Sequence, residues 1–159
     1  FGGHPMAAGL TVRAERIPEL AASLEALADA TIDDEALART IRLDAWIGLP
    51  DANVELADAF ARMQPFGMGN PEPVLAVRNV LLSNTRVVGK DRTHVQVELD
   101  DGQRRCDGIW FGGAASVPAV GDRVDVAFSL GRDDRTGTAR LRIRDMRPAG
   151  EAPVVSEGT

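Results

Sequence analysis

Val95, Val97 and Leu99 alternate with His94, Gln96 and Glu98, and a period of two puts the apolar set on one face of a strand and the polar set on the other. Such a strand belongs in a sheet with one dry face and one wet face. It is one of five strand-like segments, at about 74–88, 93–100, 104–111, 122–131 and 137–147. The separators are turn-forming: Gly89-Lys90-Asp91-Arg92, Asp100-Asp101-Gly102, the stretch from Gly112-Gly113 to Gly121-Asp122, and Asp133-Asp134-Arg135-Thr136-Gly137. Five strands with a longer third connection predict a small Greek-key barrel of the OB type. An SH3-like barrel or a small sandwich fits the same pattern.

Just before the first strand lies Pro65-Phe66-Gly67-Met68-Gly69-Asn70-Pro71-Glu72-Pro73. Three prolines and two glycines in nine residues cannot continue a helix or a central strand, because Pro lacks the N–H and Gly forfeits backbone entropy. Phe66 and Met68 do not suit a plain flexible linker, so the stretch is expected to be an ordered junction. Phe60 and Met63, at the end of the preceding helical pattern, are the expected partners of Phe66. The chain therefore divides into 1–64, the junction 65–73, the barrel 74–147 and a Pro-, Gly-, Glu- and Ser-rich tail, 148–159, expected to be disordered.

Upstream of the junction the pattern is largely helical. Ile17 to Ala30 carries apolar residues at 17, 20, 21, 24, 27 and 28, one face of a helix, with Pro18 tolerated in the first turn. An ordinary packing helix is expected. Asp33-Asp34-Glu35 reads as a helix start whose carboxylates cap and complement the dipole. Thr40 to Ile47 alternates and predicts a strand, and Asp51 or Asn53 can cap a second helix through Leu56, Ala57, Phe60 and Met63.

The opening residues are Phe1-Gly2-Gly3-His4-Pro5-Met6-Ala7-Ala8-Gly9, then Leu10-Thr11-Val12, which reads as a short strand. Gly2 and Gly3 let successive N–H groups converge into an anion nest, and His4 can donate to the same phosphate. Taken alone, those three residues are better read as a tight turn with a solvent-facing His. The motif is expected on a loop leading into a buried element. A start at Phe1 inside a glycine-rich motif reads as a fragment.

Net charge is −6, but its sign changes along the chain. Residues 1–70 hold five Arg against eleven acids, whereas 71–147 hold thirteen Lys and Arg against eleven. The second part is mildly positive, and clustering on one face matters more to a polyanion than the total. The single Cys106 excludes an intramolecular disulfide framework and a multi-cysteine zinc site, and suits a reducing cytoplasm. No apolar run approaches ~18 residues, so no membrane span is expected.

The last strand carries Arg140, Arg142 and Arg144 at spacing two, a row of roughly 13 Å that can follow a phosphodiester backbone. Arg86, Lys90, Arg92 and His94 form a second basic group around the first connection, which in OB barrels borders the oligonucleotide face. Trp110 and Phe111 offer a platform on which bases could stack, although a barrel with so few aromatics is expected to bury one of them. Solvated strand arginines account for the row equally well.

Gly2-Gly3-His4-Pro5-Met6-Ala7-Ala8-Gly9, the Pro65–Pro73 junction and a following five-stranded barrel, in that order, resemble the C-terminal part of RecJ-type single-strand-specific DNA exonucleases of the DHH phosphoesterase superfamily. The resemblance implies an α+β chain, the end of an α/β DHH-associated domain followed by an OB barrel. It implies that Gly2, Gly3 and His4 hold a nucleotide phosphate, with His4 positioning it for catalysis. It further implies that the barrel binds single-stranded DNA, and that an upstream DHH domain of the same chain supplies two Mn2+ or Mg2+ ions for 5′ to 3′ hydrolysis. No metal ligands or cofactor are expected in these residues, so the fragment alone is expected to be inactive. Asp107, an acid in a barrel strand, departs from the expected contact surface. Two other readings stand beside this one: a DHH phosphoesterase of short oligonucleotides, and a non-enzymatic barrel that binds protein partners.

Overall fold

The computed structural model describes residues 2–4, 7–33 and 40–150, and of His4 the backbone alone. The chain divides into two compact units, Phe1–Thr40 and Ile41–Thr159. In the first, β1 (Gly2–His4) pairs antiparallel with β2 (Ala7–Gly9), Gly3 opposite Ala8. The Gly-Gly-His run is thus a hairpin strand rather than a loop. A Cβ on Gly3 would meet the Ala7 carbonyl oxygen at 2.9 Å and Ala8 Cα at 3.1 Å, so only glycine lets the two strands close. β2 is exposed, and the strand expected at Leu10–Val12 does not form because the hairpin's pairing ends at Gly9.

Helix α1 spans Ile17–Thr31 with Pro18 in its first turn, where the missing N–H costs nothing. Its apolar face exists but is open: no residue of the helix is buried, and Ile17, Leu24 and Leu27 are each more than half exposed. Asp34 and Glu35 of the acidic run, and the tail from Glu151, lie outside the described residues.

The second unit begins with β3 (Ala45–Trp46), parallel to the start of β4 (Leu75–Val88). Only two residues of the predicted Thr40–Ile47 strand pair, because β4 itself begins at Leu75. Asp44 clamps that start, its N–H bonding the Val74 carbonyl at 2.8 Å and its Oδ2 accepting the Val74 N–H at 2.8 Å. Asn53 caps α2 (Val54–Ala61) by accepting the Leu56 N–H at 2.9 Å. Leu49, Ala52 and Ala57 are buried in the same cluster as the barrel core, with Phe60 packed against it. The segment 41–64, which the sequence pattern groups with the N-terminal residues, therefore packs with the barrel.

The junction is ordered by Asn70. Gly67 and Asn70 exchange backbone hydrogen bonds at 2.8 and 3.1 Å, and Asn70 Nδ2 donates to the carbonyls of Met63 and Pro65 at 2.9 and 3.0 Å. Met63 is half exposed and Met68 fully so. Hydrogen bonds of Asn70, from its backbone and its side chain, hold the turn.

Five strands close the barrel: β4, β5 (His94–Asp100), β6 (Arg105–Trp110), β7 (Arg123–Arg132) and β8 (Ala139–Pro148). β4 pairs with β5 and β5 with β6, both antiparallel, then β6 with β8 in parallel, β8 with β7 and β7 back to β4. This strand order, with its single parallel seam and closure of first strand on fourth, is that of an OB barrel. The core is aliphatic, with Leu82, Val95, Leu99, Val124 and Leu141 at or below 1% exposure around Phe128. A long β4 bends through a register shift between Val77 and Val80, where Asn79 adopts φ +53° and its N–H bonds Asp125 Oδ1 at 3.0 Å. That bend lets one strand pair with both β5 and β7.

Candidate nucleic-acid interface

Strand parity decides which side chains face out. In β5, Val95, Val97 and Leu99 are buried, leaving His94, Gln96 and Glu98 on the outer side. In β6, Cys106, Gly108 and Trp110 share the inward parity, and in β8 Leu141 and Ile143 do. Register then sets the outer residues side by side. Arg86 is opposite Gln96, Gln96 opposite Ile109, Ile109 opposite Arg142, and Arg142 opposite Ser129, a single row across all five strands in which Ile109 and Ser129 are themselves buried. Glu98 is opposite Asp107, and Arg140 follows one step before Leu141, which lies opposite Gly108.

On this face is a polar groove of about 230 Å³ lined by Arg86, Gln96, Asp107, Arg135, Thr136 and Arg140 among others. Arg86 donates to Gln96 Oε1 through Nε at 3.2 Å and Nη2 at 2.6 Å, which leaves the Gln96 amide N–H groups free of that contact. Lys90 and Arg92 are exposed in the turn between β4 and β5, and Arg92 takes a positive φ of 53° there. The outer face of β5 thus carries neutral Gln96 beside Arg86, with the cationic turn at one end and Glu98, opposite Asp107, at the other.

The arginine row of β8 is present and outward, but each member has an acidic partner. Arg140 Nη1 lies 2.8 Å from Asp133 Oδ2, Arg142 Nη1 lies 3.7 Å from Glu72 Oε1, and Arg144 Nη2 lies 2.5 Å from Glu72 Oε2. Arg144 Nε also donates to Ser129 Oγ at 3.0 Å. Asp133 is held below its ordinary carboxylate pKa, first because the N–H groups of Thr136 and Arg135 bond it and then because of Arg140. The row is therefore three guanidiniums against two carboxylates rather than a bare stripe, and those carboxylates come from far away in sequence or from the preceding turn. Arg140 Nε is buried without a hydrogen-bond partner among the described residues.

Trp110 is corrected. It is 8% exposed and belongs to the core, stacked so closely on Gly113 that a Cβ there would meet its ring at 2.1 Å. Its inward parity with Cys106 and Gly108 was readable from the sequence. Phe111 takes the exposed role, 62% accessible, with the His94 ring edge-on at 5.1 Å. His94 Nδ1 accepts the Gly112 N–H at 3.1 Å, so the imidazole braces the strand end while its ring stands beside Phe111. Gln96, Arg135 and Thr136 are the lining residues that were not singled out. Gln96 shares the parity of His94, whereas the two turn residues carry no signal before the turn is folded.

Gly2 and Gly3 lie in β1, in the other unit, and the His4 side chain lies outside the described residues. Among the described residues no group of three or more His, Cys, Asp or Glu is arranged to hold a metal ion. Nor is any described helix long and apolar enough to cross a membrane.

Strand order and outward face together define an OB-type barrel with a polar, arginine-bearing surface. The family described as RecJ OB domain matches residues 43–145, and the chain belongs to that family. It is 33% identical over 149 residues to the single-stranded-DNA-specific exonuclease RecJ of Bacillus subtilis, covering 91% of this chain and 19% of that protein. It is 30% identical over 145 residues to the protein of that name from Escherichia coli, covering 90% of this chain and 25% of that one. The chain thus spans about a fifth to a quarter of the length of these curated relatives. A crystal structure of RecJ in complex with Mn2+ from Thermus thermophilus superposes with a TM-score of 0.68 at 23% identity, over 99% of this chain and 22% of that one. That likeness carries the fold.

Proposed function

We propose that this chain is the substrate-gripping C-terminal part of a RecJ-like 5′ to 3′ exonuclease, in which the barrel's outer face holds single-stranded DNA. The observation that carries the reading is the groove lined by Arg86, Gln96, Asp107 and Arg140, with Arg142 in register across the barrel from Arg86, in a member of the RecJ OB domain family. Arginines at the rim suit phosphates, Gln96 and Asp107 suit base edges, and Phe111 suits a base face. Arg86, Lys90, Arg92, His94, Arg140, Arg142 and Arg144 are the residues assigned to the strand. Asp107 disfavours a phosphate at the centre of the groove, which directs the backbone to the rim.

In the same reading Gly2, Gly3 and His4 position a nucleotide phosphate beside a DHH domain elsewhere in the parent protein. Mn2+ or Mg2+ bound there would activate water and steady the leaving oxygen. Among the described residues none are arranged to hold such an ion, and in this reading the chain's own work is binding and orientation. The relatives are exonucleases by name, which supports the parent being one.

Fluorescence anisotropy of this chain with a labelled single strand of about 20 nucleotides, titrated across salt and against a duplex, tests the reading. Binding that prefers the single strand and falls log-linearly with salt supports it. Absence of binding at low salt overturns it. The acidic partners of Arg140, Arg142 and Arg144 favour the second reading in that event, a barrel that serves as a protein-docking or structural module.

A further inference from the structure

We propose that Glu72 occupies a backbone-phosphate subsite between Arg142 and Arg144 and sets the barrel's affinity by competing with the DNA for it. The inference rests on the proposed grip. Glu72 presents its two carboxylate oxygens to two different guanidiniums, Oε1 to Arg142 and Oε2 to Arg144. Two non-bridging oxygens of a phosphodiester present the same pattern, two acceptors on one anionic centre.

The competitor is tethered. Pro71 and Pro73 flank it with fixed φ, Asn70 is bonded to Met63 and Pro65 on one side, and Val74 is bonded to Asp44 on the other. A carboxylate held by anchors at both ends faces the arginines at a high effective concentration and at little entropic cost. It is also displaceable. The Arg142 and Arg144 side chains are 60% and 46% exposed and that of Glu72 is 25% exposed, and ion pairs that solvent still reaches are only modestly stabilising. A phosphate carried by a strand already engaged elsewhere on the face can take its place, and Glu72 can return when the strand moves on. This assigns a role to the acid of the Pro-Glu-Pro run, whose sequence reading accounted only for its rigidity.

Glu72→Gln keeps the shape and removes the charge. Its expected effect is tighter binding of a labelled 20-nucleotide strand, by about three- to tenfold, with a salt slope steeper by about 0.7, one added phosphate contact on a single strand. The combined Arg142→Gln, Arg144→Gln change is expected to weaken binding more in the Glu72→Gln background than in the wild-type chain. Far-UV circular dichroism checks folding. Should Glu72→Gln fail to fold, Glu72→Asp, whose shorter reach cannot bridge both guanidiniums, is expected to bind more tightly than wild type. Wild-type binding that Glu72→Gln leaves unchanged or weakens, or tightens equally when both arginines are replaced, overturns the competition and leaves the grip intact. Failure of both wild type and Glu72→Gln to bind at low salt overturns the grip and the inference together.

Discussion

Asp133 holds Arg140 with one oxygen, Oδ2 at 2.8 Å from Nη1, while its other oxygen accepts the N–H groups of Arg135 and Thr136 at 2.9 and 3.2 Å. One carboxylate thus folds the turn between β7 and β8 and aims the first arginine of the β8 row into the groove. Because the turn's N–H groups and Arg140 favour the charged form, the folded-state pKa lies below the ordinary 3.8. Its stabilisation is then present above that value and is lost as pH falls through the lower folded one. Asp133→Asn is expected to lower the melting temperature at pH 7, with the difference from wild type closing as pH falls below 3.8. A difference of the same size at pH 7 and pH 2.5 would show that the carboxylate's charge is not what holds the turn.

Neighbouring aromatics should separate stability from binding. Trp110→Ala removes a core ring and is expected to cost about 3–5 kcal/mol in chemical denaturation. Phe111→Ala, on the exposed side, should change stability by no more than about 0.5 kcal/mol while weakening single-strand binding by about fivefold or more, the loss of one stacked base. Equal stability losses for the two would contradict their opposite burial.

Asn70→Ala removes the amide that bonds Met63 and Pro65. A stability loss of about 0.5–1.5 kcal/mol is expected. Faster hydrogen exchange at the Gly67 and Asn70 amides should accompany it, as their mutual bridge loses its support. Unchanged exchange there would mean that the prolines alone keep the turn.

Cys106 is buried against the carbonyls of Leu49 and Ala52, and burial pushes its thiol above the ordinary 9.0, against a smaller opposing influence from Arg104. The thiol should react with an exposed-thiol reagent at pH 8 only as fast as the unit opens. Stability should fall as pH rises past 9.0, because the unfolded chain releases that proton first. Rapid labelling under native conditions would show that segment 49–52 opens on its own.

The barrel was legible because its evidence is local. Alternation in 94–100 and the turn residues around it placed β5 within a residue of His94–Asp100, and the other four strands followed in the same way. What escaped is non-local. Nothing in the Arg140-Leu141-Arg142-Ile143-Arg144 spacing reveals that Glu72, in the junction, takes two of the three arginines. The Gly2–His4 strand was read as a loop because glycines signal turns, and only its close pairing with Ala7 and Ala8 shows why glycine is there. Trp110 is the instructive middle case: its parity was in the sequence, yet its size and chemistry suggested a surface role that its position denies.

The parallel seam between β6 and β8 has a consequence for the order of synthesis. β6 leaves the ribosome well before β8, so His94, Gln96 and Asp107 exist as a half-face until Arg140, Arg142 and Arg144 dock beside them. A nascent or truncated chain ending before Ala139 has neither a closed barrel nor the arginines that complete its surface. The three β8 arginines therefore join the outer face in one step with closure of the barrel, and a chain that lacks β8 presents only the β4–β6 part of that face.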